Sequence, residues 1–192
     1  STLFGYMKTM YKLDLAHVTT AFYLVDKNTG DACLIKNADM VVDNKREPVK
    51  IGLNARLLPF YSDQHRKDGA KIEVELQSEQ ASYQCDLQIM AMAKESELKL
   101  LSYAKLALIS EELEAVLKKN AGMVGKYFLP SFTGVRVTLK QPLSEVQRSA
   151  LPTSVRISEK GELLIPNTLL VNAPENQRLD LAVTRITPWL TN

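Results

Sequence analysis

Apolar residues in this chain recur at two spacings, and only one long segment follows the helical one. Between Ser102 and Lys126, Tyr103, Leu106, Ala107, Leu113, Leu117 and Val124 fall near one face at intervals of three, four, six and seven, which predicts a helix with one buried side. Ser110-Glu111-Glu112 combines a capping side chain with two carboxylates, so a break near Ser110 is expected. Lys118-Lys119 suits the negative end of the dipole, Gly122 and Gly125 can take the left-handed conformation that stops a helix, and Pro130 excludes continuation. The exposed face is not strongly basic and carries no Trp or Phe, which favours a helix laid on a sheet over a membrane-surface helix.

The rest of the chain has strand spacing. Met7, Thr9, Tyr11, Leu13 and Leu15 alternate with Lys8, Lys12 and Asp14, predicting a half-buried strand. Val18 to Val25, a turn at 26–31 and Ala32 to Lys36 predict a first hairpin that holds Cys33. Met40-Val41-Val42, a charged turn ending at Pro48, Val49 to Leu53 and Leu57 to Phe60 follow. Ser62 to Gly69 reads as one or two helical turns with Ser62 as cap and Gly69 as stop. Lys71 to Leu76 and Tyr83 to Ala91 alternate and predict a second hairpin with Cys85 on its inward side.

Beyond the helix, Val135 to Leu139 is a strand and Pro142 to Ala150 a short helical segment. Val155-Arg156-Ile157 and Leu163-Leu164-Ile165 flank a tight turn at 158–161. Residues 166–176 form a loop. Arg178 to Arg185 is the last strand, before a tail with Pro188 and the only tryptophan, Trp189.

These elements predict a mainly β, α+β chain of antiparallel sheets with one principal helix. Its organisation is an N-terminal β-rich lobe over 1–101, a connecting helix over 102–126 and a C-terminal β-rich lobe over 127–192, or one compact domain in place of the lobes. The blocks Val49-Lys50-Ile51, Leu57-Leu58-Pro59 and Lys71-Ile72-Glu73-Val74 are echoed in order by Val155-Arg156-Ile157, Leu163-Leu164-Ile165-Pro166 and Arg178-Leu179-Asp180-Leu181. So few matched residues are read as similar hairpin patterning rather than as a duplication.

At 192 residues, 45% hydrophobic and 24% charged, the chain can bury a core of its own. A net charge of +2 implies neither nucleic acid nor an anionic partner by itself. No run approaches the ~20 apolar residues of a membrane-spanning helix, so the chain is read as soluble and without a transmembrane segment. It begins Ser-Thr-Leu-Phe without an initiator Met, as after removal of a signal peptide or a longer precursor, or with an expression scar. Cys33 and Cys85 suit a single disulfide in an exported protein and two buried thiols in a cytosolic one. Neither has a second Cys or a His nearby in sequence to make a zinc site, and no metal or cofactor is expected.

The candidate chemistry is sparse. His65 lies in the cluster Asp63-Gln64-His65-Arg66-Lys67-Asp68, where His65 and Asp63 are the acid/base candidates; successive positions of one helical turn point apart, however. His17, before an apolar strand, is read as structural. Gly-x-Ser-x-Gly, His-Glu-x-x-His and a phosphate-cradling glycine loop are absent. Glu73/Glu75 and Glu111/Glu112 are read as a solvated strand face and a helix start. Lys45-Arg46, Arg66-Lys67 and Lys118-Lys119 are separate and each has acid nearby, which argues against nucleic acid. Tyr127, Phe128 and Phe132 cluster at the helix exit and, with Trp189, are the candidate ligand or partner surface; Trp189 is the aromatic expected to be exposed.

The blocks Gly122-Met123-Val124-Gly125-Lys126-Tyr127-Phe128-Leu129-Pro130 and Gly134-Val135-Arg136, with Leu57-Leu58-Pro59-Phe60, Gly69-Ala70-Lys71 and Gly161-Glu162-Leu163-Leu164-Ile165-Pro166, span most of the chain. Together they resemble an uncharacterised family of exported proteins from Gram-negative bacteria, the domain of unknown function 2987. The resemblance implies a cleaved signal peptide and a periplasmic address, and brings no activity and no catalytic residues. The expectation is a periplasmic protein with a Cys33–Cys85 disulfide, acting as a non-enzymatic binding or envelope-associated module for an envelope protein or small ligand. The competing expectations are a hydrolase or other small-molecule enzyme using His65 and Asp63, and a structural subunit of a homo-oligomer.

Overall fold

A computed structural model describes residues 2–52, 55–77, 84–125 and 130–192. The described residues form an α+β protein of antiparallel sheets and helices divided into two compact units, Ser1–Asp14 with Thr20–Met90 and Leu15–Thr19 with Ala91–Asn192. The division therefore falls at 90/91 rather than 101. The principal helix, expected as a connector, lies inside the second unit.

The first unit runs through α1 (Thr2–Leu13), β1 (Val18–Asp26), β2 (Ile35–Val42), β3 (Lys45–Pro48), β4 (Lys50–Ile51), β5 (Leu57–Leu58), α2 (Asp63–Lys67), β6 (Lys71–Leu76) and β7 (Cys85–Ala93). The first residues of β1 and the last of β7 belong to the second unit. Helix α1 corrects the strand expected from Met7 to Leu15. Leu3, Phe4, Met7 and Met10 satisfy the helical period as well as Met7, Thr9 and Tyr11 satisfy the strand one, and only the former fits a core. Phe4 and Met7 are buried with Phe22, Ile35, Met40, Val49 and Leu57, whereas Tyr11 is 73% exposed. Burying Phe4 and Met7 contributes ~1.5–3 kcal/mol each. Asp14, at φ 44° with its N–H on the Met10 carbonyl, ends the helix.

Neither expected hairpin of this unit forms as a simple pair. After β1 the Asp26 carboxylate accepts the Asn28 and Thr29 N–H groups and turns the chain. The return makes one bridge, Val25 to Ala32, and the chain then leaves for another sheet. That sheet has the order β3-β2-β6 and pairs β6 with β2, while β7 lies beside β1 in the order β4-β5-β1-β7. The charged segment before Pro48, expected as a turn, is strand β3, opposite β2 from Asp39↔Pro48 to Val42↔Lys45. Cys33 and Cys85 form a disulfide across a sequence separation of 52. Tyr83 and Leu53 lie outside the described residues.

The second unit contains a 3-10 turn (Glu95–Glu97), α3 (Tyr103–Gly125), β8 (Ser131–Leu139), α4 (Glu145–Ser149), β9 (Arg156–Ile157), β10 (Leu163–Pro166), α5 (Asn167–Leu170) and β11 (Val183–Thr191). Helix α3 is not broken at Ser110. That residue is buried and its hydroxyl donates to the Asn167 Oδ1 of α5, so it works inside the helix and not as a cap. The buried stripe is Tyr103, Leu106, Ile109, Leu113 and Val116; Ala107 and Leu117 are only half-buried. A kink interrupts the helix at Gly122, with φ 75°, before its last residues to Gly125. Helix α4 carries a complete capping box between Ser144 and Gln147. The last strand starts at Val183, not Arg178, and continues through Pro188 and Trp189. Pro188 is tolerated because β11 is at the sheet edge. A one-turn helix, α5, occupies part of the expected loop.

The two four-stranded sheets share one plan. Taking the strands of each in chain order, the first is β1, β4, β5, β7 and the second is β8, β9, β10, β11; in space both run fourth, first, third, second. In the second sheet β10 is antiparallel to both β8 and β9, so β8 and β9 are parallel with β10 between them. This is the split connection of ferredoxin-like β-α-β-β-α-β folds. In the first sheet, β5 is antiparallel to β1 and β4. Bonds from Lys27 N–H to Gln84 O and from Lys94 N–H to His17 O, at opposite ends of the pair, make β1 and β7 antiparallel too. Each plan follows a longer helix, α1 or α3. The repetition is thus larger than the three echoed blocks, which fall on β4 and β9, on β5 and β10, and on β6 and the irregular segment 178–181. The units differ in the first crossover: α4 in the second is replaced in the first by the β2–β3 hairpin.

Two variants test this architecture. A Cβ at Gly134 of β8 would collide with the Ile165 carbonyl oxygen of β10. Gly134→Ala is expected to force these strands apart and to lower stability by ~1–3 kcal/mol, read as a reduced denaturant midpoint. Replacing both cysteines by serine is expected to cost ~4 kcal/mol in the chain-entropy model, read as a matching loss in unfolding free energy.

Candidate functional site

Helix α2 brings the expected acid/base residues near each other without joining them. Ser62 caps it by accepting the His65 N–H at 3.2 Å, and Gly69, at φ 67°, follows it. The half-buried His65 ring lies 5.4 Å from Phe60. Its Nδ1 is buried without a hydrogen-bond partner, and its Nε2 is 3.8 Å from Glu47 Oε1. Asp63 points elsewhere: it accepts the Tyr61 hydroxyl and pairs with Arg66 Nε at 3.7 Å. The Tyr61 hydrogen bond, followed by the charges of Lys8, Arg66 and Lys67, holds the Asp63 carboxyl below its ordinary range. His65 thus faces Glu47, and Asp63 faces a tyrosine and cations.

His17 is anchored within the second unit. Its Nδ1 lies 3.1 Å from Glu97 Oε2, which also pairs with Lys105 Nζ at 3.0 Å. The two Glu112 oxygens accept the Ala16 and His17 N–H groups at 2.9 and 2.8 Å, and Lys94 Nζ donates to the Leu15 carbonyl at 2.6 Å. Both carboxylates hold the 15–17 segment, in keeping with a structural histidine.

The inserted sheet β3-β2-β6 carries an open groove of about 820 Å³. Alternation sets its character: Ala38, Met40, Ile72 and Val74 turn to the core, leaving Asn37, Asp39, Glu73 and Glu75 on the other face. Arg46 bridges Asp39 and Glu73, and Glu75 takes Asn37 Nδ2 at 2.9 Å and Lys36 Nζ at 3.3 Å. The Asn37 hydrogen bond, then Lys36, keeps the Glu75 carboxyl below its ordinary range. Asp39, Glu73, Glu75, Lys36 and Arg46 each have a cross-strand partner on this face, giving a fixed pattern of donors and acceptors suited to recognition.

The aromatic candidates separate. Tyr127 and Phe128 lie outside the described residues. Phe132 is half-buried in β8, opposite Leu190. Trp189, expected to be exposed, is 8% exposed, because β11 carries it into the sheet opposite the side-chain-free Gly134. The exposed aromatic is instead Tyr11, stacked on the half-buried Tyr61 with centroids 5.6 Å apart. Helical spacing puts Lys8, Tyr11 and Lys12 on one side of α1, a signal hidden by the strand reading of Met7 to Leu15.

Among the described residues no group of three or more His, Cys, Asp or Glu side chains is placed to hold a metal ion. None of their helices is long and apolar enough to cross a membrane. The fold defines a disulfide-bonded α+β protein whose two four-stranded sheets repeat one strand order. The chain belongs to the family of proteins of unknown function DUF2987, whose model matches residues 1–139, the first unit with α3 and β8. No curated protein and no solved structure matches it.

Glu97 provides a pH test. Hydrogen bonds from Lys105 first and His17 second lower its carboxyl pKa in the folded protein. Such a group adds stability above its unfolded value and loses that contribution as pH falls through the lowered folded value. Glu97→Gln is expected to be less stable by ~0.5–1 kcal/mol at neutral pH, allowing for solvent screening. Unfolding curves of the two proteins converge once the pH falls well below the ordinary glutamate value of about 4.3.

Proposed function

We propose that this protein is a non-enzymatic binding module of the periplasm, exported with a cleaved signal peptide, which recognises an envelope protein or small ligand through the groove on β3-β2-β6. The observation carrying the reading is the groove itself. It lies on the element by which the first unit departs from the shared plan, and its lining groups are paired into a fixed polar pattern that offers recognition rather than a reactive acid or base. The Cys33–Cys85 disulfide supports an oxidising compartment.

The test combines pull-down from envelope extract with a thiol-blocked, non-reducing peptide map of the protein from its native cell. The expected results are a processed N-terminus, a Cys33–Cys85 peptide, and a reproducible partner or ligand lost in Arg46→Glu. Free thiols with an unprocessed start would remove the exported reading, and absence of any reproducible partner would remove the binding one. The buried Nδ1 of His65 is the observation favouring an enzyme instead; an activity abolished by His65→Ala would establish that alternative.

A further inference from the structure

The side of the first unit built by α1 and α2 has a composition different from the groove. Tyr11 follows Phe4 and Met7 along the same helical stripe, but the core ends before it. Its ring is left 73% exposed with one side against Tyr61. Lys8 and Lys12 flank it one turn apart, and α2 adds the exposed Arg66 and Lys67. These elements share one local field, since Lys8 of α1 acts on Asp63 of α2 together with Arg66 and Lys67. Four cations, Lys8, Lys12, Arg66 and Lys67, stand around Asp63, with Asp68 at the end of α2, Asp14 just past α1 and Glu47 against His65 as the other nearby carboxylates. Phe60, 37% exposed and resting on His65, extends the aromatic surface.

Exposed tyrosine and phenylalanine rings among lysines and arginines match a membrane interface in both respects. The rings have an apolar body and a polar tip or edge suited to the headgroup boundary, and the cations are attracted by anionic lipid. The apolar stripe of α1 is already buried in the core, so contact is peripheral, with the helix held in its unit and not inserted. We propose that this face, centred on Lys8, Tyr11, Lys12, Tyr61, Arg66 and Lys67, docks the protein on an anionic bilayer surface. This deepens the envelope reading and rests on it, while using a face distinct from the groove.

The test is co-sedimentation of the purified, disulfide-intact protein with phosphatidylcholine vesicles containing or lacking 40% phosphatidylglycerol, at low and at about 0.5 M salt. Binding is expected only to the anionic vesicles and is expected to be lost in high salt. Each cation removed weakens it about fivefold, as for basic residues at an anionic surface. Lys12→Glu/Lys67→Glu therefore binds more than about 25-fold more weakly, and Tyr11→Ser, at an exposed position, also weakens binding while far-UV circular dichroism stays unchanged. Equal binding to the uncharged vesicles, no binding to either, or wild-type binding by both variants would overturn the proposal. Retention on heparin without sedimentation with vesicles would overturn it in favour of an anionic glycan. Pull-down partners and a processed N-terminus without vesicle binding would remove the docking face and leave the binding module standing.

Discussion

The first unit depends on one covalent constraint, the bond between Cys33 and Cys85. It joins the segment just after β1 to the start of β7, two strands that are neighbours in one sheet, and closes a loop containing β2 to β6 and α2. Loop closure across that separation would be costly in the unfolded chain. The bond removes much of that cost, and lets the first unit carry a second, three-stranded sheet as an insertion. The polar groove and the α2 end of the basic aromatic face both lie within the closed loop.

Repetition of the strand plan gives a physical way to separate scaffold from specialisation. Both sheets need a central first strand, β1 or β8, with partners on each side, and both follow a helix whose apolar stripe needs a sheet to cover. Those requirements account for the parts the units share. They do not account for the β2–β3 hairpin, for β6, or for the cations of α1 and α2. Loops and insertions on a rigid scaffold are where binding surfaces concentrate, which is why the inserted sheet carries the functional reading.

Electrostatics distinguishes the surfaces. In the groove, Asp39, Glu73 and Glu75 are paired with Arg46, Lys36 and Asn37, so the face has shape and pattern but little field. Around Asp63 four cations gather, so the face has a field but few fixed pairs. Glu97 and Glu112 do a third thing: they tie the 15–17 segment within the second unit, so His17 is committed to structure.

Elements specified by local chemistry are legible along the chain. The capped turn at Ser62, the short helical segment after Pro142, the tight turn before Gly161, the long helix over 103–125 and the short strand pair β9–β10 each rest on residues within a few positions of one another. The strand-like runs around Cys33 and Cys85 left a disulfide and two buried thiols both open, and the structure joins the two cysteines. Tertiary structure decided what depends on distant partners: α1 over a strand at residues whose spacing fits both periods, β6 beside β2 and β7 beside β1, Ser110 as a buried link to Asn167, and Trp189 inside the sheet opposite Gly134. The candidate site divides the same way, with Asp63 and His65 visible as a polar turn but the Tyr11–Tyr61 stack invisible until α1 and α2 were brought together. Hydrogen-bond ladders and ring stacks carry no marker of their partner in the local sequence; burial of the whole apolar set selects among pairings that local pattern leaves equal.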